Sequence, residues 1–361
     1  MSYLSLDKDR ELNPNNKTSI ALLKRILFPL LALVLTACPN GPVDREYEFE
    51  YETIVTDSPV NLEGINSRQD DYNSDWANYP YQQSGIYFSS NRFTYGRDYD
   101  IILRKLRLSY HVKDDVLDVH YSDPYALDNY ESKLLDLIKS SDDQLGPLSL
   151  YGPEEYSYFF YADNKNGDYD ICFTHHLKTD FYMPSSPEVI NGPDPLMPVN
   201  SEKDDLYPSI TEDLTKLFFC SNRANEHFNI YSMQIPGPAG LHDFLISDEP
   251  GEAVLISELS SESNDKCPFI DKDVMVLASD REGGLGGFDL YYSLLEDGAW
   301  SAPVNFGPTI NTEYDEYRPI IFSFEEVQKN LMIFSSDRPG GLGGFDLYMV
   351  KADGYIQSLL H

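Results

Sequence analysis

Four arginines, Arg92, Arg223, Arg281 and Arg338, each stand six to eight residues ahead of an acidic or amide residue, namely Asp100, Asn229, Asp289 and Asp346. A fifth acid, Asp170, closes a similar phrase that lacks the arginine. A guanidinium carries five N–H donors in a fixed fork, so this set has two uses. Gathered around one point, the arginines would bind an anion. Distributed one to a unit, each would tie its own hairpin to Asp100, Asp289 or Asp346, and the recurrent spacing favours this second use.

Other chemistries fail on spacing. The segment Gly284 to Asp289 ends in aspartate where a dinucleotide loop needs glycine, and strand-forming residues follow it. Setting Gly167 as the sixth residue of a calcium loop places Ala162 first, where a carboxylate is required. His175 and His176 are adjacent, so on a strand they face opposite sides and cannot share a metal. Neither HExxH nor GxSxG occurs. No cofactor is expected. With 60 acidic residues, a carboxylate pair suited to glycoside hydrolysis stays open, because distance along the chain does not report distance in space.

The elements that hold these residues repeat. The phrase SDREGGLGGFDLYYS at Ser279 to Ser293 returns as SSDRPGGLGGFDLYMV at Ser335 to Val350, with looser copies from Ser89, Tyr161 and Cys220. Marked by Asp100, Asp170, Asn229, Asp289 and Asp346, the steps are 57 to 70 residues. Helical repeats are shorter and carry a 3.6-residue period that is missing here. Four strands with their turns fit the interval, which predicts an all-β, single β-propeller. Five phrases favour five four-stranded blades, with six as the alternative.

The fourth unit shows the expected blade. A strand ends at Ile270, Asp271 to Asp273 turn, and Val274 to Ala278 is apolar on both faces, as a strand between two sheets should be. Gly283, Gly284, Gly286 and Gly287 then allow a tight reversal through positive φ, as do Gly340, Gly341, Gly343 and Gly344 in unit five. The blade units fall near 72–140, 141–200, 201–262, 263–312 and 313–361. Unit five stops short of its outer strand. Pro59-Val60-Asn61-Leu62 matches Pro303-Val304-Asn305-Phe306 of unit four, so the segment 47–62 is expected to pair onto the last blade and close the ring. The longest departure, Lys105 to Ser140, mixes a strand pattern with a short helix bearing Leu134, Leu135 and Ile138. It reads equally as a recognition insert or a decorated surface hairpin.

These residues resemble the WD40-like propeller repeat of the TolB type, over most of residues 59 to 350. Its strongest parts are the two glycine-rich copies and the entries Asp204 to Pro208 and Asp315 to Pro319. The α/β domain of TolB and the peptidoglycan-binding domain of other relatives have no counterpart here, so neither partner carries over. The N-terminus resembles a bacterial lipoprotein leader: Lys24-Arg25, an apolar run from Ile26 to Leu35, then Leu35-Thr36-Ala37-Cys38. That resemblance implies a signal peptide over residues 1–37, lipidation of Cys38 and an acylated linker over residues 38–46. The apolar run is ten residues long, against roughly 20 for a bilayer span.

The formal net charge of −33 repels phosphate backbones and excludes nucleic acid as a partner. Cys172, Cys220 and Cys267 are an odd number and sit mostly in apolar strand patterns, which predicts buried thiols and not a disulfide framework. The sequence therefore reads as an envelope lipoprotein, anchored in the outer membrane by acyl chains and either periplasmic or surface-exposed. Its expected role is that of a non-catalytic scaffold for an envelope protein partner. The alternative is a glycan-active hydrolase or a glycan-binding lectin using the central funnel, with only Trp76 and Trp300 as large stacking platforms.

Overall fold

The computed structural model describes residues 49–77, 84–122, 127–153, 156–177, 189–324 and 329–356. The leader, Cys38 and the linker to residue 46 lie outside the described residues. Five antiparallel sheets form the blades of a β-propeller. Their first strands are Asp71–Ala77, Gln144–Tyr151, Asp205–Ile210, Asp265–Asp271 and Glu316–Phe324. Each touches the first strand of the next blade, and the fifth touches the first, which closes the ring.

The second strands carry the core. In Val274–Ser279 every residue is buried, and Lys216–Ser221 is buried after its first residue. Strands covered on both faces need apolar residues on both, which is why these runs do not alternate. Among the described residues the largest core cluster includes Leu206, Phe218, Val276, Leu277, Met332 and Phe334, from three successive blades. The three cysteines are free thiols. Cys220 and Cys267 are buried and Cys172 half-buried.

Closure uses two short strands in different ways. Val60–Asn61 pairs with Asp346–Lys351 and supplies the fourth strand of blade five. Leu62 and Thr56 also bond to that strand, at the Leu347 carbonyl and the Lys351 N–H, but Phe49–Val55 does not pair with it. Phe49–Val55 pairs instead with Val116–Ser122, as a fifth strand of blade one. The reason lies in the insert: Asp100–His111 and Val116–Ser122 form a long hairpin whose free edge reaches the entering chain. The insert therefore builds blade one's own outer strands. Its helix, Asn129–Ile138, starts in a capping box of Asp128 and Glu131 and buries Leu134 and Ile138.

The insert also displaces a repeated joint. In blades two, four and five an asparagine after the outer strand zips its amide to one backbone residue: Asn200 to Ile171, Asn311 to Leu290 and Asn66 to Leu347. In blade one, Gln144 takes the place of that asparagine. Its side chain accepts from the Ile101 N–H and donates to the Ile138 carbonyl.

Candidate functional site

The first strand of every blade carries a β-bulge at the same place, opposite a shift in register of the second strand. The bulged residue is left-handed in all five: Asn73 (φ 56°), Gly146 (59°), Tyr207 (56°), Cys267 (55°) and Arg318 (47°). A side chain there costs about 1–3 kcal/mol, so the surrounding frame has to enforce it. Tyr207 fills the space that a Cβ on Gly146 would need, at 2.3 Å, which fixes glycine in that blade. Asn73 Nδ2 donates to the Tyr207 hydroxyl at 3.3 Å, and Arg318 Nη2 donates to the Pro147 carbonyl at 3.1 Å. The Arg318 guanidinium is fully buried, 5.4 Å from the centre of the Tyr207 ring.

Above this girdle opens a funnel of about 410 Å³. Its inner wall is the residue before the bulge in each blade: Tyr72, Leu145, Leu206, Lys266 and Tyr317. Its rim is the residue before each third strand, Tyr169, Phe228, Phe288 and Phe345, with Tyr207 as floor. Tyr99 holds the equivalent rim position in blade one, 4.8 Å from Tyr72. The Phe288 ring meets Tyr317 edge-on at 5.0 Å, and Phe345 stacks on Tyr72 at 5.6 Å.

Acidic and amide residues hold the rim. Asp143 Oδ1 accepts the Tyr99 N–H at 2.9 Å, and Asp204 Oδ1 accepts that of Tyr169 at 3.0 Å. Asn264, Asp315 and Asp70 repeat the bond to Phe228, Phe288 and Phe345 at 3.2, 2.7 and 3.1 Å. Every bond crosses from one blade to the next. Asp204 and Asp315 also line the funnel, and among the described residues Asp315 Oδ2 accepts no hydrogen bond. Two aromatic shells with interspersed carboxylates suit a ligand with C–H faces and hydroxyls.

Below the funnel, Asp75 is buried and accepts from the Ser149 N–H and hydroxyl at 2.9 and 2.6 Å. Burial pushes its carboxyl up to about 6, against lowering by Ser149 and by Arg318. Its folded value lies above its unfolded one, so ionised Asp75 costs stability above pH 6, and that cost fades as the pH falls toward 4. Asp75→Asn is expected to raise stability at pH 8 by about 2–3 kcal/mol and by little at pH 4. Melting curves at both values check this; an equal change at both would refute it.

The sequence-predicted residues form the frame of the funnel. Arg92, Arg223, Arg281 and Arg338 do not tie to Asp100, Asp289 or Asp346, and each is already engaged by a buried acid of its own blade. Each pairs with the acid that begins its blade's first strand: Asp71, Asp205, Asp265 and Glu316, at 2.6, 2.5, 2.5 and 2.9 Å. The same Nη2 donates to a carbonyl of the segment leaving the preceding blade, Ile65, Val199, Leu259 or Ile310. Each arginine is thus a clamp between two blades. Asp289 instead accepts the Leu285 and Gly286 N–H groups and the Asn305 amide, fastening its own loop to its outer strand. Asp346 does the same with Leu342, Gly343 and Asn61. Asp100 and Asp170 are half-buried, and burial raises both, Asp170 to about 6.

Two of the eight loop glycines have the expected positive φ, and the other six a different reason. Only Gly283 and Gly340 have positive φ, at 95° and 98°. A Cβ on Gly286 would lie 2.0 Å from the Tyr314 carbonyl of the next blade, and one on Gly343 2.1 Å from that of Gln69. On Gly287 and Gly344 it would strike the Asp315 and Asp70 carboxylates, and on Gly284 and Gly341 those of Asp289 and Asp346. Gly286, Gly287, Gly343 and Gly344 serve close approach of neighbouring blades, and Gly284 and Gly341 that of the aspartate of their own loop.

Sequence reasoning missed the funnel wall. Trp76 stacks on Phe322 and Trp300 packs on Phe218, both within the frame. The stacking surfaces are tyrosines and phenylalanines. The available signal was an aromatic residue directly before every phase marker: Tyr99, Tyr169, Phe228, Phe288 and Phe345.

No protein-family model matches the chain, and no curated protein matches it. Solved structures do. An endo-arabinase from Bacteroides thetaiotaomicron is 15% identical with a TM-score of 0.49, covering 82% of this chain and 96% of that one. A thermostable family-43 glycoside hydrolase is 12% identical with a TM-score of 0.49, covering 78% and 88%. An α-L-arabinofuranosidase from Lactobacillus brevis is 11% identical with a TM-score of 0.49, covering 81% and 92%. At such identities the likeness is one of fold.

These solved structures are glycoside hydrolases and not TolB-type lipoproteins, which stands against four of the expectations. The TolB-type, WD40-like resemblance is set aside. So are the non-catalytic scaffold, the protein-binding role and the absence of enzymatic activity. The repeated phrase encodes blade-to-blade clamps and close glycine contacts, so it specifies how blades pack and not what the chain binds.

Proposed function

We propose that the chain is a glycan-active hydrolase that takes its substrate in the axial funnel. The observation that carries this reading is the double aromatic wall, with Asp204 and Asp315 set into it. Sugar rings present C–H faces to aromatic rings and hydroxyls to carboxylates. Hydrolysis of a glycosidic bond needs two carboxyl groups, one to protonate the leaving oxygen and one to activate water or attack. Asp204 and Asp315 are the pair that the funnel offers. A second reading, a lectin without turnover, is favoured by one observation: Asp204 and Asp315 both accept cross-blade N–H bonds and so serve the frame.

Release of reducing ends from a panel of neutral and acidic polysaccharides tests the first reading. Asp315→Asn is expected to lower the rate by about 10²–10⁴-fold while keeping the N–H bond to Phe288. Binding without release would leave the lectin, and neither binding nor release would defeat both. We further propose that Cys38 is acylated and anchors the protein to the outer membrane. Labelling of cells with a palmitate analogue should mark the protein and fail to mark Cys38→Ser.

A further inference from the structure

Lys266 breaks the five-fold character of the funnel. The equivalent inner-wall positions are Tyr72, Leu145, Leu206 and Tyr317, and none of them carries a positive charge. The lysine lines the cavity with its ammonium 4.0 Å from the centre of the Phe228 ring and 5.8 Å from that of Phe288. Among the described residues it has no ion-pair partner within 4.0 Å, although the chain carries 60 carboxylates against 27 basic residues. The two rings hold the ammonium by its attraction to their faces and leave its N–H donors to whatever enters.

Resting on the glycan reading of the funnel, we infer that the substrate is a glycan containing uronic acid, whose carboxylate is bound by Lys266. Such a sugar matches the wall group by group. Its C–H face meets the phenylalanine and tyrosine rings, its hydroxyls donate to Asp204 and Asp315, and its carboxylate accepts from the lysine. A neutral sugar would leave the ammonium without an anion. The net charge of −33 opposes any anionic ligand at long range, so selection has to be local. At about 0.15 M salt the Debye length is roughly 8 Å, and the contact outlasts the repulsion.

The test is calorimetric titration of the folded protein with trigalacturonate and with galactotriose, in buffer of about 0.15 M salt. The wild type is expected to bind trigalacturonate at least tenfold more tightly, the scale of one hydrogen bond to a charged group. In Lys266→Met, which keeps an apolar chain over Phe228, this ratio should fall to near one, and Lys266→Arg should restore most of it. Melting curves of both variants establish that they are folded. Equal affinity for the two sugars in the wild type, or an unchanged ratio in Lys266→Met, overturns the inference while the glycan reading stands. Binding of neither sugar also overturns the inference, and the polysaccharide panel then decides the glycan reading by itself.

Discussion

Replacing Arg281 by methionine is expected to lower the unfolding free energy by about 3–5 kcal/mol, the usual cost of removing one partner from a buried ion pair. The guanidinium bonds Asp265 at 2.5 Å, and it also joins Ser279 to the Leu259 carbonyl of the preceding blade. The Asp265 side chain is 0% exposed and that of Arg281 16%, so removing the arginine strands a carboxylate that water reaches poorly. Ser279 and Ser261 still donate to Asp265, which keeps the loss from being larger. Urea unfolding measures the change. The double variant Arg281→Met with Asp265→Asn should recover part of the loss, because the stranded charge is gone. Equal losses in the single and double variants would show that the clamp works through packing instead.

The second large effect concerns closure. A chain beginning at residue 63 is expected to lose about 5 kcal/mol or more and to aggregate. It lacks Val60–Asn61, the outer strand of blade five, and Leu62, which is 0% exposed and bonded by its N–H to the Leu347 carbonyl. A buried side chain of that kind contributes about 1.5–3 kcal/mol, and its removal bares an unpaired strand edge. A chain beginning at residue 57 keeps the closing strand and, among the described residues, loses Phe49–Val55, the fifth strand of blade one, and Thr56, whose carbonyl accepts the Lys351 N–H. Its cost should stay within about 1–3 kcal/mol, the scale of one buried side chain such as Val55. Thermal unfolding and light scattering of the two chains separate these outcomes. Equal behaviour would mean that the ring does not depend on Val60 to Leu62.

Taken alone, the sequence determined the repeat, the blade number favoured by its five phrases, and the segment that closes the ring. These are local facts: a strand buried on two faces is apolar on both, and Pro59 to Leu62 repeats Pro303 to Phe306 at three of four residues, with leucine in place of phenylalanine at the fourth. Only the tertiary structure decided what the repeated residues do. Arg281 stands eight residues before Asp289 yet pairs with Asp265, sixteen residues the other way, because the pairing of the first two strands brings Asp265 opposite Ser279. Gly286 is glycine on account of a carbonyl in the next blade, a contact that no spacing within one unit can express. The funnel follows the same rule. Its lining takes one to four residues from each of five blades, and they become neighbours only when the ring has closed around an axis.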